Sequence, residues 1–272
     1  MRPITRILVT GGAGSVGLEV LKELHQHKKW YEVKVLEQNT AGVLRKLKPY
    51  RKDFQLILGD LCDQNILQKA TADIDGDEYA QTKIRAENIV RKSRLKWSIF
   101  RLPAIMGPQT RMDPLFFNMP LDTSLEIATA GDTGFALVEA VYHQEDIKGR
   151  TFNLSGGEKC RTTYRDFLTQ VFAAMGLRNM NLPENAFAQK NFHCGNYADS
   201  DQLEEILHFQ QDSLEDYYKI LKNKNTGFSK ALLSLFPVLI KLFLLNKSEP
   251  LRARRKKNNG QFKRFFYAKL PG

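Results

Sequence analysis

Apolar residues fall in short unbroken runs, separated by stretches in which they recur at helical spacing. Ile7-Leu8-Val9 is the first run, Val33-Lys34-Val35-Leu36 the second and Phe54 to Leu58 the third. Runs of this length, bounded by turn formers, predict buried strands, and an amphipathic helix follows the first. Further along, Trp97-Ser98-Ile99-Phe100-Arg101-Leu102-Pro103 and Thr151 to Leu154 read as strands, while Tyr79 to Ser93 and Asp132 to His143 read as helices. Thr163-x-x-Asp166 gives a capping signal ahead of the apolar face Phe167, Val171, Phe172 and Met175, and Gly176 supplies a stop. Asp199 to Tyr218 reads as a helical pair, and residues 109–124, with Pro114, Pro120 and Phe116-Phe117, suit a loop or short helix. Strands alternating with helices predict an α/β fold built on a doubly wound parallel sheet.

The turn after the first strand carries chemistry. Gly11, Gly14 and Gly17 in Thr10-Gly11-Gly12-Ala13-Gly14-Ser15-Val16-Gly17 stand where a strand passes directly into a helix. In that setting the first glycine permits the sharp turn, the second lets backbone approach a pyrophosphate, and the third lets the helix pack closely on the sheet. Ser15 and Val16 head the helix, whose N–H groups and partial positive charge favour phosphate. Glu37 ends the second apolar run twenty residues after Gly17. A carboxylate there accepts from ribose hydroxyls and repels a 2′-phosphate, which favours NAD over NADP. Nearby Arg45, Lys46 and Lys48 leave NADP open. Gly59-Asp60-Leu61 closes the third strand and places Asp60 and Leu61 by the adenine pocket of such a Rossmann-like sheet.

Tyr79 and Lys83 are four residues apart in a predicted helix and share a face. An ammonium beside a phenol favours phenolate, so tyrosine in such a pair can serve as general acid or base. Taken together, these pieces resemble the extended short-chain dehydrogenase/reductase family, including the NAD-dependent epimerases and dehydratases. The matching residues are Thr10-Gly11-x-x-Gly14-x-x-Gly17, Gly59-Asp60-Leu61, Tyr79-x-x-x-Lys83, Arg101-x-Pro103 with Gly107-Pro108, and Thr151 to Gly157. The resemblance implies that Tyr79 is the catalytic acid/base, that Lys83 is its partner and a ribose contact, and that Pro103 lies near the nicotinamide.

The resemblance has one large interruption. Members of the family place two strands, a connecting helix and a substrate-orienting serine or threonine between the third strand and the tyrosine. Here eighteen residues separate Asp60 from Tyr79, and Leu61 to Asp73 reads as a single helix. Two strands and a helix need at least about thirty residues. Thr71 is the nearest hydroxyl upstream and belongs to the wrong element. A segment is therefore expected to be missing near Asp75-Gly76, either from a shortened protein or from a longer parent, and the parent is favoured because excision would expose buried sheet edges.

Composition bounds the remaining questions. The chain has 272 residues, 42% of them hydrophobic, enough for one α/β core and an appendage. Cys62, Cys160 and Cys194 are too scattered for a disulfide framework, which suggests a reducing compartment. The five histidines lack metal-ligand spacing. No secretory signal precedes the nucleotide motif. The formal charge is +11, and residues 247–272 alone hold nine Lys or Arg against one acid, Glu249. Just ahead, Lys230 to Leu245 is apolar apart from Lys230, Ser234, Pro237 and Lys241, which fall on one helical stripe. The run is too short and too charged to span a bilayer. Apolar helix and basic flank, interleaved with Phe262, Phe265, Phe266 and Tyr267, suit an anionic membrane surface through residues 230–272. A protein-docking helix or homo-oligomer contact is the alternative, and the apolar helix argues against nucleic acid.

The expected organisation is therefore a Rossmann-like nucleotide-binding core over 1–108, the rest of the sheet and a small substrate-side subdomain over 109–225, and an amphipathic, basic tail over 226–272. The expected function is an NAD-dependent oxidoreductase, epimerase or dehydratase acting on a hydroxyl or carbonyl of a small molecule, without a metal. A cofactor-binding or redox-sensing protein docked at a membrane is the alternative. Either would be cytoplasmic and peripheral at a membrane's inner face.

Overall fold

A computed structural model describes residues 5–37, 40–58, 78–107, 114–177, 180–190, 195–224, 237–256 and 259–267. In chain order the strands are β1 (Thr5–Thr10), β2 (Tyr31–Glu37), β3 (Gln55–Leu58), β4 (Ile99–Arg101), β5 (Ala104–Met106), β6 (Ser124–Thr129), β7 (Thr151–Asn153) and β8 (Arg161–Thr163). The principal helices are α1 (Ser15–Gln26), α2 (Ala41–Lys46), α3 (Glu78–Lys92), α4 (Ala130–Tyr142), α5 (Tyr164–Ala174), α6 (Asp201–Leu207), α7 (Leu214–Lys224), α8 (Pro237–Lys247), α9 (Glu249–Arg255) and α10 (Asn259–Phe265). The fold is mixed α/β with parallel pairing of the first three strands, as the alternation of runs and helices predicts.

The chain divides into two units, the first comprising Met1–Leu102, Ala130–Leu154 and Asp201–Phe209. Its three-stranded sheet has β2 in the middle, with Thr10 opposite Leu36 and Val35 opposite Leu56. Val9, Leu21, Leu24, Val33, Val35, Leu47, Phe54 and Val138 form its core, so the strands bury apolar residues under α1 and α4. A second parallel pair, β4 with β7, stacks Phe100 on Phe152 at 6.2 Å between ring centroids and is closed by Leu203, Leu207 and Phe209.

Among the described residues, the hydrogen-bonded neighbour of β1 is β2, and that of β4 is β7. The first strand of a doubly wound sheet lies in its interior. Here the far edge of β1 has no partner strand among the described residues. The joint near Asp75-Gly76 and the helix read over Leu61 to Asp73 lie outside the described residues.

The second unit comprises Pro103–Thr129, Ser155–Ser200 and Gln210–Gly272. β5 runs parallel to β6, and β8 antiparallel to it. Phe117, Leu125, Ile127, Tyr164, Phe167, Phe172, Phe187 and Tyr217 are in its core. The expected cap is present: the Thr163 hydroxyl accepts from Asp166 N–H at 3.1 Å and starts α5. Phe116 and Phe117, read as a loop or short helix, form a short helical turn in an aromatic cluster with Tyr164 and Phe187.

The basic tail folds back into this unit. Ser248 caps α9 by accepting from Leu251 N–H at 3.0 Å, and its own hydroxyl donates to the Ala186 carbonyl at 2.6 Å. Phe262, Phe265 and Phe266 are buried with Ala188 and Ala253, and the Arg254 guanidinium lies 4.9 Å from the Phe266 ring centre. Those three rings, read from sequence as lipid-facing, are core residues, because aromatic side chains at i, i+3 and i+4 gather on one face of α10. Tyr267 alone of the four is exposed. In α8, Leu244 is buried while Val238, Leu239, Leu242 and Phe243 are 67%, 61%, 54% and 59% exposed.

One buried carboxylate organises the β6–β8 end of this unit. Glu126 accepts from Arg161 Nε at 2.9 Å, Gly157 N–H at 3.1 Å and Tyr197 N–H at 3.0 Å. Burial pushes its carboxyl up, but hydrogen bonding from Ser155, Arg161 and Tyr197 and the charge of Arg161 outweigh that and hold it below the usual range. The folded-state pKa is thus below the unfolded one, so its stabilisation is full above the unfolded pKa and disappears as pH falls through the folded value. Glu126→Gln is expected to lower stability at pH 7 by about 3 kcal/mol, since Arg161 loses its counter-charge. Denaturant titrations at pH 7 and pH 3 should show the difference from wild type shrink in acid.

Candidate nucleotide site

The strand-to-helix turn is built so tightly that two of its glycines cannot be replaced at no cost. Gly11 has φ of 72°, a left-handed conformation that disfavours side chains. A Cβ on Gly17 would collide with the Gly11 carbonyl oxygen and lie 2.6 Å from the Gly12 Cα. The turn closes through Gly14 N–H to the Gly11 carbonyl at 3.0 Å, and the α1 ladder opens with Leu18 N–H to the Gly14 carbonyl at 3.0 Å. Gly14 is the N-cap, no side chain caps it, and the first turn holds no acid. The N–H groups of Ser15, Val16 and Gly17 therefore head a twelve-residue helix with no internal anion from a cap or first-turn side chain. A cradle of this form, with backbone N–H groups at its mouth and glycine where the turn and helix approach most closely, fits a pyrophosphate.

Strand register brings the acidic partner to the same place. Thr10 pairs with Leu36, so Glu37 stands one residue past the end of β1 and beside the turn. It is 9% exposed, and its carboxylate accepts the Ala13 N–H at 2.6 Å. From the other side, the Lys46 ammonium donates to the Ala13 carbonyl at 2.8 Å. Lys46 arrives from the last turn of α2, which Thr40 caps by accepting from Val43 N–H at 3.3 Å. Sequence spacing located Glu37; it named Lys46 only as one of three nearby bases. The signal that separates Lys46 from Arg45 is the buried Leu47 that follows it, which fixes the end of α2 against the core.

The Tyr79–Lys83 pair is on α3, one helical turn apart, and Lys83 is exposed. The Tyr79 side chain, Gly59, Asp60, Leu61 and Thr71 lie outside the described residues. Arg101, matched above only as part of a motif, fastens this helix: Nε and Nη2 donate to the two Glu87 oxygens at 2.8 Å each. Arg91 adds a bond to Glu87 at 3.3 Å and one to the Thr151 hydroxyl at 2.7 Å. Arg101 and Arg91 hold the Glu87 carboxyl below its ordinary pKa. α3 is thus pinned to β4 and β7. Pro103 is half-buried at the start of the second unit.

The second unit has an open cleft of about 680 Å³, lined by Asp166, Gln170, Glu215, Tyr218, Lys219 and Lys222. Its acids and bases are mixed on helical surfaces, and burial followed by Glu215 raises the Tyr218 phenol further from ionisation, so the lining offers no activated nucleophile. Among the described residues, no three His, Cys, Asp or Glu side chains gather as a metal set.

Residues 7–80 match the family model described as NAD dependent epimerase/dehydratase family. Among curated proteins, none matches the chain by sequence. The fold is similar to dTDP-glucose 4,6-dehydratase from Bacillus anthracis, solved with NAD: TM-score 0.61 and 13% identity over 80% of this chain and 97% of that one. UDP-glucuronic acid 4-epimerase from Bacillus cereus, also in complex with NAD, gives 0.57 and 15% over 82% and 100%. A short-chain dehydrogenase/reductase superfamily protein from Agrobacterium tumefaciens with bound NAD gives 0.56 and 13% over 85% and 99%. Residues 7–80, which hold the glycine turn, thus resemble the NAD-dependent epimerase/dehydratase family, and the fold is similar to that of the three NAD-bound structures.

Proposed function

We propose that this chain binds NAD and belongs to an enzyme that oxidises, reduces, epimerises or dehydrates a small molecule at a hydroxyl or carbonyl. The observation that carries this is the tight glycine turn at Gly11–Gly17 with Glu37 held against it. In this reading Gly11, Gly14, Ser15, Val16 and Gly17 receive the pyrophosphate, Glu37 and Lys83 the riboses, Asp60 and Leu61 the adenine, and Pro103 the nicotinamide. Bound NAD supplies the hydride acceptor or donor. Tyr79 gives or takes the substrate proton, and Lys83 lowers the cost of its phenolate. The structural neighbours solved with NAD and the family match over the glycine turn support the cofactor assignment.

The edge of β1, which has no partner strand among the described residues, favours a longer parent in which two further strands and their serine or threonine complete the site. If the chain is whole as written, the same edge favours a second reading, an NAD-binding or redox-sensing protein without turnover. In a parent that turns over substrate, Tyr79→Phe is expected to lower kcat by at least about 100-fold with NAD affinity within about 2-fold, because the ring stays and the proton donor goes. Lys83→Ala is expected to weaken both. Steady-state kinetics with calorimetry of NAD binding separates the two effects, and full activity of Tyr79→Phe would remove the tyrosine from the chemistry.

The outward stripe of α8 supports attachment to an anionic membrane surface. Val238, Leu239, Leu242 and Phe243 share one exposed face, and the Lys247 ammonium borders it 4.9 Å from the Phe243 ring centre. No helix among the described residues is long and apolar enough to cross a membrane. Replacing Leu242 and Phe243 with serine is expected to cut binding to phosphatidylserine vesicles about 10-fold or more without lowering the melting temperature, since neither side chain is in the core. Flotation with thermal melting checks both. Unchanged flotation would discard the membrane, and loss of an oligomer instead would make the stripe a contact between copies.

A further inference from the structure

The peptide of Ala13 is gripped by opposite charges. Its N–H goes to Glu37 at 2.6 Å and its carbonyl receives Lys46 at 2.8 Å. Because both groups bind the same residue, the ammonium and the carboxylate flank one point of the glycine turn. That point is where a dinucleotide places its adenosine ribose against the acid at the end of the second strand. One Glu37 oxygen is used by Ala13, which leaves the other for a ribose hydroxyl.

A carboxylate here on its own would repel a 2′-phosphate, a group that carries nearly two negative charges near neutral pH. The added cation changes the balance. Lys46 is an exposed residue, so its long side chain can turn from the Ala13 carbonyl to an incoming phosphate while its backbone stays fixed by buried Leu47. Arg45, one residue earlier on the same short helix, has the same charge and makes no bond to the turn among the described residues.

We infer that Lys46 determines this chain's choice between the two nicotinamide dinucleotides: its ammonium on the Ala13 carbonyl beside Glu37 offsets the acid and lets the site accept a 2′-phosphate. The inference rests on the nucleotide reading given above. NAD needs only Glu37 and the cradle, whereas NADP needs Lys46 as well.

Calorimetric titration of the full chain with NAD and with NADP tests this, using wild type, Lys46→Ala, Lys46→Gln, Arg45→Ala and Glu37→Gln. Lys46→Ala and Lys46→Gln should each weaken NADP at least about 10-fold and NAD less than about 3-fold, and rising salt should shrink the NADP gap. Arg45→Ala, which removes the same charge, should leave both affinities within about 3-fold. Glu37→Gln should tighten NADP, and adding Lys46→Ala to it should remove that gain. Equal weakening of both nucleotides by the two Lys46 variants would reduce Lys46 to a brace for the turn and overturn the inference. So would wild type that binds NAD but no NADP, with the nucleotide reading intact. Wild type that binds neither would overturn that reading and this inference with it.

Discussion

The close approach of Gly17 to the Gly11 carbonyl is the contact from which the rest of the first unit follows. Only backbone occupies the space between them, so α1 begins flush against the end of β1. That closeness aims the head of α1 at the outlet of the sheet, where its N–H groups and dipole can act on an anion. It also brings Ala13 within reach of Glu37 and Lys46, which come from different elements. A single added methyl at Gly17 would force turn, helix and sheet apart, and all three contributions would be lost together.

The remainder of the first unit has the fastenings of a doubly wound sheet, with no strand paired to the far edge of β1 among the described residues. Arg101 holds α3 to β4 through a two-pronged bond to Glu87, which gives the helix of Tyr79 and Lys83 a fixed base. That same helix leaves Ile84 and Ile89 50% and 72% exposed, a cost expected where an intended neighbour is absent. Together with the edge of β1 that has no partner strand among the described residues, these side chains are the observations behind the proposal of a longer parent.

Much of this was legible from residue pattern. The three strands of the first sheet, α1, α3, α4 and the Thr163 cap follow from periodicity and turn chemistry, because local preference and burial agree there. Glu37 was found because strand spacing ties it to the glycine turn. Lys46 was not singled out, since its role comes from a contact across thirty-three residues that three adjacent bases conceal. Arg101 was seen as a motif letter without its partner Glu87, as the pair is made by packing of α3 on β4. The tail was misjudged at Phe262, Phe265 and Phe266: basic and aromatic residues alternating in sequence look the same whether the rings meet lipid or Ala253 and Ala188. Periodicity on α8 likewise placed Lys241 on a polar stripe without showing that Leu242 and Phe243 would be left outward.

The central claim is that the backbone cradle after β1 holds the pyrophosphate of NAD. Gly14 tests it most directly, because a Cβ there meets only the Gly11 carbonyl oxygen, at 3.1 Å, so a side chain can be added with a small adjustment of the turn. Isothermal titration of NAD into wild type and Gly14→Asp, with melting curves on both, is the measurement. Wild type should bind, and the variant should lose at least about 100-fold in affinity at near-wild-type melting temperature, as a carboxylate takes the place of the phosphates. Equal NAD affinity in a folded Gly14→Asp protein would contradict it.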